Sequence, residues 1–234
     1  MSAQKTYPIC CPKCDHTQNV ELYDSVNVAQ EPELKQALFE NRLNRVKCED
    51  CEAEFRIDKP LLYNDADRNI LIHWMPDIAV SRDEILDEFD KSMEELRGAL
   101  PDDIEPPRVR LVFDRVELVE LIFMIEAGMD ERVVEYIKYI VHSQNTSRLP
   151  PAKKQLLLNV QDSTADELLF AIQDVESSEL EDLLRYSREA YHGVQKMYKD
   201  NPEEFIELFP GPYINARNTL LQETAVDEPD ENDE

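Results

Sequence analysis

The sequence lacks the short motifs that mark common enzyme classes. Only four of its 234 residues are glycine, and it contains no Gly-rich phosphate loop, no Gly-x-Ser-x-Gly turn and no His-Glu-x-x-His motif. Its four histidines are isolated from one another, and none has an evident partner that would make it a catalytic base. The sequence therefore favours a binding protein over an enzyme, although an active site built from scattered residues would leave no motif.

Long apolar runs are also missing. No stretch approaches the roughly 20 apolar residues of a membrane span, since even "LVELIFMIEAG" contains Glu120 and Glu126. The first residues, "MSAQK", lack the apolar core of a signal peptide. We therefore expect a cytoplasmic protein with no membrane segment. Thiols stay reduced in that compartment, so the five cysteines are better interpreted as metal ligands or reactive thiols than as disulfides.

Positive charge is scarce relative to negative charge. The chain has 25 basic and 51 acidic residues, which gives a formal net charge of −26. Such a surface repels phosphate backbones and anionic lipids, so we expect neither a nucleic-acid partner nor a membrane. The excess is typical of a well-solvated surface, with a nucleic-acid mimic or a dock for basic partners as the alternatives. It is greatest in the tail, 225–234, which we expect to be disordered.

The cysteines form two pairs with equal spacing, Cys11-Pro-Lys-Cys14 and Cys48-Glu-Asp-Cys51. Two intervening residues allow a tight turn, here called a knuckle, in which both thiolates reach one metal ion about 2.3 Å away. Two knuckles complete a tetrahedral site of four sulfurs, for which Zn²⁺ is the usual ion and iron an alternative. A closed sphere leaves no position for water, so the spacing predicts a structural metal.

The alternative is a redox-active pair at Cys11 and Cys14. Such a pair begins a helix that follows a strand, whereas "DHTQNVELY" after Cys14 indicates a turn and a strand. The remaining thiol, Cys10, is interpreted as a small strand residue, with a redox-sensitive exchange ligand as the alternative. His16 lies near the first pair, and we expect it outside the ligand set.

Apolar periodicity predicts an α+β fold. Residues 19–28, 54–58 and 69–75 are typical of strands and 31–44 of a short helix, with a hairpin turn at 63–69. In the second half, Ser81 and Glu84 predict the start of a helix that ends near Gly98. The further predicted elements are a strand at 109–113, a helix ending at Gly128, a helix capped by Asp130, two strands within 154–175, a helix from about Glu179 to Lys199, a short helix after Pro202 and a last helix from Tyr213.

These elements suggest a division into two domains and a tail. We expect a β-rich, zinc-ribbon-like domain with an inserted helix at 1–78 and an acidic, mainly helical α+β domain with a short sheet at 79–224. The disordered acidic tail is 225–234.

Residues 7–77 resemble the CpXC domain family, named for a Cys-Pro-x-Cys motif with a second Cys-x-x-Cys downstream. The resemblance rests on "CPKCDHTQNVELYDSVNV", "PELKQALFENRLNRVKCEDC" and "FRIDKPLLYNDADRNILIHWMP". The stretch "FDRVELVELIFMIEAGMDERVVEYIK" also resembles the region that follows this domain in longer members. The resemblance implies a bacterial or archaeal cytoplasmic protein of uncharacterised function with a metal site at Cys11, Cys14, Cys48 and Cys51. Asp15 and Glu52 stand where many zinc knuckles have a glycine, directly after the second cysteine of each pair.

The leading hypothesis is a zinc-stabilised interaction module that binds other proteins. A nucleic-acid-binding zinc ribbon is the second hypothesis, because Arg42, Arg45 and Lys47 form a basic cluster near a knuckle. A thiol oxidoreductase using Cys11 and Cys14 is the third. Exposed edge strands of the first domain also suggest a homodimer.

Overall fold

The computed structural model describes residues 1–76, 81–99 and 106–226, and these ranges contain ten strands and seven α-helices. The strands are β1 (Ala3–Cys10), β2 (Thr17–Asn27), β3 (Arg45–Lys47), β4 (Glu54–Arg56), β5 (Leu61–Asp65), β6 (Ile70–Trp74), β7 (Arg108–Val112), β8 (Lys154–Asn159), β9 (Glu167–Asp174) and β10 (Leu180–Ser187). The helices are α1 (Pro32–Phe39), α2 (Arg82–Ala99), α3 (Arg115–Glu126), α4 (Glu131–Gln144), α5 (Arg188–Asp200), α6 (Pro202–Leu208) and α7 (Ala216–Val226). The predicted α+β class is confirmed.

The chain divides into two compact units, Met1–Leu118 and Val119–Glu234. The first unit contains a five-stranded sheet in the order β1-β2-β5-β6-β7 and a separate two-stranded sheet of β3 and β4. In the larger sheet, β1 with β2 and β5 with β6 are antiparallel, whereas β2 with β5 and β6 with β7 are parallel. Alternate residues of β5 and β6 are buried, as expected for strands that cover a core with one face.

The predicted turn between β5 and β6 is confirmed as a single 3₁₀ turn, Ala66–Arg68. The side chain of Asp65 accepts a hydrogen bond from the backbone N–H of Arg68. Asn69 closes the turn with a left-handed φ of 49°, a conformation that asparagine tolerates better than most residues. This local chemistry fixes the register of the hairpin, in which Leu61 lies opposite Trp74.

The first unit extends to Leu118, and the expected domain boundary at residue 78 stays a prediction. This unit takes in β7, whose residues pair in parallel with β6, from Ile70 with Arg108 to Trp74 with Val112. Parallel pairing requires a crossover between the strands, and α2 lies in that connection. The predicted start of α2 is confirmed, because the Ser81 hydroxyl accepts a hydrogen bond of 3.2 Å from the Glu84 amide.

The second unit contains the antiparallel sheet β10-β9-β8 and the helices that follow α3. Gly128 ends α3 with a φ of 67°, and Asp130 caps α4 by accepting a hydrogen bond of 3.1 Å from the Arg132 amide. Both features were predicted from the sequence. Residues 227–234, which make up most of the predicted tail, lie outside the described residues, as does most of the predicted break after Gly98.

The prediction of a helix from Glu179 was wrong at its start. Residues Leu180–Ser187 form strand β10, and helix α5 begins only at Arg188. Leu184 and Tyr186 are half-buried while the residues between and beside them are exposed, which is a period of two. The Ser187 hydroxyl then accepts a hydrogen bond from the Ala190 amide and marks the start of the helix. Strands β1 and β3 were not predicted.

A buried group of three charged side chains lies in the second unit. The Lys138 ammonium is 2.7 Å from Oε1 of Glu120 and 2.7 Å from Oε1 of Glu135. Glu120 also accepts a hydrogen bond of 2.5 Å from the Leu158 amide, and Glu135 accepts one of 2.8 Å from the Ala216 amide. These bonds connect α3, α4, β8 and the start of α7.

Within the described residues, no helix is both long enough and apolar enough to cross a membrane.

Candidate metal centre

Each cysteine pair lies at the tip of an antiparallel hairpin. In the first hairpin, β1 and β2 end with Cys10 opposite Thr17, and residues 11–16 form the first knuckle. In the second, β3 and β4 end with Lys47 opposite Glu54, and residues 48–53 form the second knuckle. Both knuckles therefore have six residues with cysteines at the first and fourth positions.

The backbones of the two knuckles are held in the same way. In each, the amide of the first cysteine donates to the carbonyl of the sixth residue, and the amide of the fifth residue donates to the carbonyl of the first cysteine. The bonds are Cys11 N to His16 O (2.8 Å), Asp15 N to Cys11 O (3.0 Å), Cys48 N to Ala53 O (2.9 Å) and Glu52 N to Cys48 O (3.1 Å). The sequence "CEDCEA" thus adopts the turn of "CPKCDH" without a proline.

The four cysteine sulfurs converge on one point. Sγ of Cys11 is 3.7 Å from Sγ of Cys51, Sγ of Cys14 is 3.6 Å from Sγ of Cys48, and all four lie within 4.8 Å of one another. Four sulfurs about 2.3 Å from a tetrahedral metal ion would be about 3.8 Å apart. The spacing is too long for a disulfide, which requires about 2.05 Å, and the four sulfurs lie close enough together that they could hold one metal ion.

A family model described as "CpXC protein" matches residues 9–138, more than half of the chain. The chain belongs to the CpXC family. The match includes both knuckles and continues into α4, ending at Lys138, the last residue of the second stretch whose resemblance to longer members the sequence indicated. No curated protein and no solved structure matches the chain.

The environment of the first CpXC cysteine favours a thiolate. Cys11 and Cys48 are almost fully buried, with 1% of each exposed, and burial raises the pKa of the Cys11 thiol. The amides of Lys13 and Cys14, which point at its sulfur, outweigh this effect and bring the pKa of Cys11 down to about 7. For Cys48, the amide of Cys51 is the main cause of a lowered pKa. Amides that lower a thiol pKa also stabilise a bound thiolate.

Cys14, the second cysteine of the first knuckle, has the opposite tendency. The amide of His16 lowers the pKa of Cys14, but burial and the neighbouring sulfurs raise it to about 12. Thiolates so close together repel one another. This repulsion disfavours a negative charge on Cys14 when the neighbouring sulfurs are already charged. A cation among the sulfurs would remove the repulsion, which is why dense thiol clusters are stable when they hold a metal.

Two residues near the first knuckle lie outside the cluster. Cys10 is exposed, and its Sγ is 3.5 Å from the carbonyl oxygen of Asp15. His16 supplies the carbonyl that holds Cys11, but its ring is not a member of the cluster found among the described residues. The chain therefore brings together the four cysteines singled out by their spacing and leaves Cys10 and His16 aside.

Gln18 joins the two knuckles, a role that sequence reasoning missed. This buried side chain on β2 donates a hydrogen bond of 3.0 Å to the Lys47 carbonyl and accepts one of 2.8 Å from the Glu49 amide. These two backbone groups flank Cys48. Gln18 thus holds the second knuckle beside the strand that leaves the first. Glutamine at a strand start is common, so the sequence carries no signal for this contact.

Asn44 performs a similar function at the base of the second hairpin. Its side-chain amide exchanges two hydrogen bonds with the backbone of Tyr23, at 2.8 and 3.1 Å. Its backbone carbonyl accepts a third, of 3.0 Å, from the Ile57 amide. Asn44 itself has a left-handed φ of 55°. The Asn44 side chain thus pairs with the backbone of β2 as a neighbouring strand would, and it holds the β3–β4 hairpin against β2.

The basic residues near the second knuckle are each paired with an acid. Arg42 contacts Glu40, the Arg45 guanidinium is 3.3 Å from Glu54, and the Lys47 ammonium is 3.3 Å from Glu52. All three pairs are largely exposed. The cluster that motivated the nucleic-acid hypothesis therefore offers little net positive charge to a phosphate backbone.

Proposed function

We propose that Cys11, Cys14, Cys48 and Cys51 bind one structural Zn²⁺ ion, and that the first unit is a zinc-stabilised, ribbon-like interaction module for other proteins. The observation that carries the metal assignment is the convergence of four sulfurs from two matching knuckles, with contacts of 3.6 and 3.7 Å. Zn²⁺ is preferred because it is the usual ion for four thiolates in a closed tetrahedral site. Iron has similar Fe–S bond lengths and remains the chemical competitor.

The metal would cross-link the β1–β2 hairpin to the β3–β4 hairpin. The two-stranded sheet of β3 and β4 has only three residues in each strand, and a hairpin of that size is marginal in water. Structural zinc contributes on the order of 10 kcal/mol in small zinc domains. Since four protein ligands leave no open position, the proposed role is folding and presentation of a surface.

Two features favour protein partners: the net negative charge of the chain and the edge strand β1 of the larger sheet. The net charge of −26 disfavours nucleic acid and anionic lipid. Strand β1 is at one edge of the sheet, and its first four residues are exposed. Edge strands can add a strand from a partner or from a second copy. The homodimer is one form of this proposal.

Metal analysis with thiol counting tests the metal assignment. Protein purified under reducing, oxygen-free conditions is expected to contain one zinc ion per chain, to show one reactive thiol when native and to show all five cysteines after denaturation in chelator. The reactive thiol is expected to be Cys10. Protein without metal, in which Cys11 and Cys14 react early, would contradict the proposal and favour the thiol oxidoreductase hypothesis.

Binding experiments with immobilised protein test the interaction module. A specific partner is expected to be retained by the zinc-loaded chain and by Cys10→Ser, and to be lost with Cys48→Ser. Light scattering then separates a homodimer from a monomer that binds another protein. Nanomolar binding to an oligonucleotide at about 0.15 M salt would instead favour the nucleic-acid hypothesis.

A further inference from the structure

The first unit contains a cavity that is distinct from the cysteine cluster. Its volume is about 450 Å³, which is within the range of small-molecule sites. Its lining includes the cations Arg56, Lys59 and Arg115, the acids Asp58 and Asp114, and the aromatic side chains of Trp74 and Phe113. We call it the Trp74 cavity.

The charge of the lining is opposite to that of the whole chain. Three cationic residues and two acidic residues line the cavity, whereas the chain carries a net charge of −26. A fourth cation lies beside it, because the Arg82 guanidinium is 5.0 Å from the centre of the Phe113 ring. A local excess of positive charge on an acidic protein indicates an anionic ligand.

Arg115 is fixed in place but keeps donors available. Its Nη2 donates to the carbonyls of Leu38 and Phe39 at the end of α1, at 2.7 and 3.1 Å. Among the described residues, no acceptor lies within hydrogen-bonding distance of its Nε or Nη1. Burial is the main cause of the lowered pKa of Arg115, and the charge of Arg56 adds to it. An anion between the two guanidinium groups would offset both effects.

Arg56 is held at its outer side. Its Nε and Nη2 donate to the two oxygens of Asp58 at 2.5 and 2.6 Å, and its Nη1 donates to the side chain of Asn41. Asp58 is partly exposed, and such a surface ion pair contributes little to stability. The contact offsets part of the charge of Arg56 and orients its guanidinium, of which Nη1 and Nη2 each keep one N–H with no acceptor among the described residues.

Trp74 supplies an unpaired hydrogen-bond donor. Only 5% of this residue is exposed, and its buried indole N–H has no acceptor among the described residues. Leaving a buried N–H unpaired costs about 1 to 3 kcal/mol. Together with Arg56 and Arg115, Trp74 also lines an adjoining void of about 10 Å³. The indole N–H itself is enclosed, so a ligand oxygen in the cavity would use the Nε and Nη1 donors of Arg115.

We propose that the Trp74 cavity binds a small aromatic oxyanion, a carboxylate or phosphate group carried on an aromatic ring. The oxyanion accepts hydrogen bonds from Arg56 and Arg115, and the ring packs against Trp74 and Phe113. Lys59 at the rim lies 4.8 Å from the centre of the Tyr7 ring and contacts Asp24, so its charge is offset by that carboxylate. This proposal stands independently of the identity of the metal and of any protein partner.

Fluorescence of the full chain gives a direct test, because Trp74 is its only tryptophan. Benzoate and phenyl phosphate are the probes, inorganic phosphate tests the oxyanion without a ring, and benzamide is the neutral isostere of benzoate. Saturable changes in emission are expected for one or both aromatic oxyanions below about 1 mM, with weaker binding of inorganic phosphate and none of benzamide. A response to phenyl phosphate alone assigns the site to phosphate esters, and a response to benzoate alone assigns it to carboxylates.

Variants separate the cavity from general charge effects. Arg56→Gln is expected to weaken binding about tenfold, which corresponds to one charge-assisted hydrogen bond. Arg45→Gln is the matched control, because Arg45 lies opposite Arg56 in the β3–β4 pair but does not line the cavity. If Arg56→Gln does not fold, Lys59→Gln replaces it with a smaller expected loss. Absence of saturation by both aromatic oxyanions, an equal response to benzamide, or equal binding by both arginine variants would overturn the proposal.

Discussion

Asp15 and Glu52 share one backbone conformation, although the chain places them 37 positions apart. Each follows the second cysteine of its knuckle, each has a left-handed φ of 58°, and each donates its amide to the carbonyl of the first cysteine, Cys11 or Cys48. Aspartate visits this conformation more readily than glutamate does. The two knuckles are therefore equal in geometry but unequal in local strain.

Replacing Glu52 should change stability in a direction set by its φ. Glu52→Gly relieves a conformational cost of about 1 to 2 kcal/mol and adds about 0.5 to 1 kcal/mol of unfolded-state entropy. The expected net result is a rise of up to about 1.5 kcal/mol in the free energy of unfolding. Glu52→Val should lower it, because a β-branched residue is strained at positive φ. Urea unfolding of the metal-loaded protein measures both effects.

The control for this prediction is Glu54→Gly. Glu54 lies in the extended strand β4, where glycine weakens pairing and should lower the free energy of unfolding. The exposed contact between Lys47 and Glu52 contributes little. Equal losses for Glu52→Gly and Glu54→Gly would show that the left-handed conformation carries no cost here.

Removal of one buried sulfur should abolish metal binding. Cys48→Ser leaves three thiolates and a poor hydroxyl ligand in a site that is almost fully buried. We expect loss of the metal and unfolding of the first unit, because structural zinc contributes on the order of 10 kcal/mol, comparable with the whole stability of a small domain. Metal analysis and circular dichroism measure the two consequences.

Cys10→Ser is the matched control for the cysteine experiment. Cys10 is adjacent to Cys11, yet it is exposed and its sulfur lies outside the cluster. The variant should retain one metal ion per chain with unchanged stability. Metal loss in Cys10→Ser would show that this thiol exchanges into the ligand set.

Gln18→Ala should loosen the connection between the knuckles without removing a ligand. The substitution leaves the buried carbonyl of Lys47 and the amide of Glu49 without their partner, a cost of about 1 to 3 kcal/mol. Because these groups flank Cys48, transfer of zinc to a competing chelator should also be faster. Asn19→Ala, at the exposed neighbouring position of β2, should leave the transfer rate unchanged. Equal transfer rates in the two variants would contradict a role for Gln18 in the site.

The cysteine cluster could be predicted because its determinants are local. A spacing of two residues, repeated once, suffices to indicate two knuckles, and the caps at Ser81 and Asp130 are local signals of the same kind. The hydrogen bonds of Gln18 and Asn44 could not be predicted, since they join residues 21 to 31 positions apart. Nothing in the identity of either residue indicates such a partner.

Strand β10 shows why propensity failed in the second unit. "LEDLLRYS" contains leucine, glutamate and arginine, which favour helices, and its leucines are mostly exposed. Its pairing with β9, from Leu180 with Gln173 to Ser187 with Glu167, overrides that preference. Leu184 and Tyr186 alternate with exposed residues, but two positions are too few for a period of two to be recognised in the sequence.

The buried triad predicts how stability depends on pH in the second unit. Burial raises the pKa of Glu120 to about 7, whereas in an unfolded chain a glutamate titrates near 4.3. A raised carboxyl pKa stabilises the fold fully below about pH 4.3, and this contribution falls as the pH rises towards 7. The expected fall is on the order of 3 kcal/mol. Glu120→Gln keeps an oxygen for Leu158 and Lys138, so it should remove the fall between these pH values in chemical denaturation.

Lys138 is the residue on which both buried carboxylates depend. Burial lowers the pKa of Lys138, but the charges of Glu120 and Glu135 raise it above its ordinary value, so the ammonium stays charged. Above about pH 8, where Glu120 is mostly ionised in the native protein, Lys138→Met would leave two carboxylates without a cation, at an expected cost of about 3 to 5 kcal/mol. Arg185→Gln, which breaks the exposed pair with Glu167, should cost less than about 1 kcal/mol. Adding Glu120→Gln to Lys138→Met should recover part of the loss, because it removes one of the two uncompensated charges, and equal effects of the two single variants would refute this account of the triad.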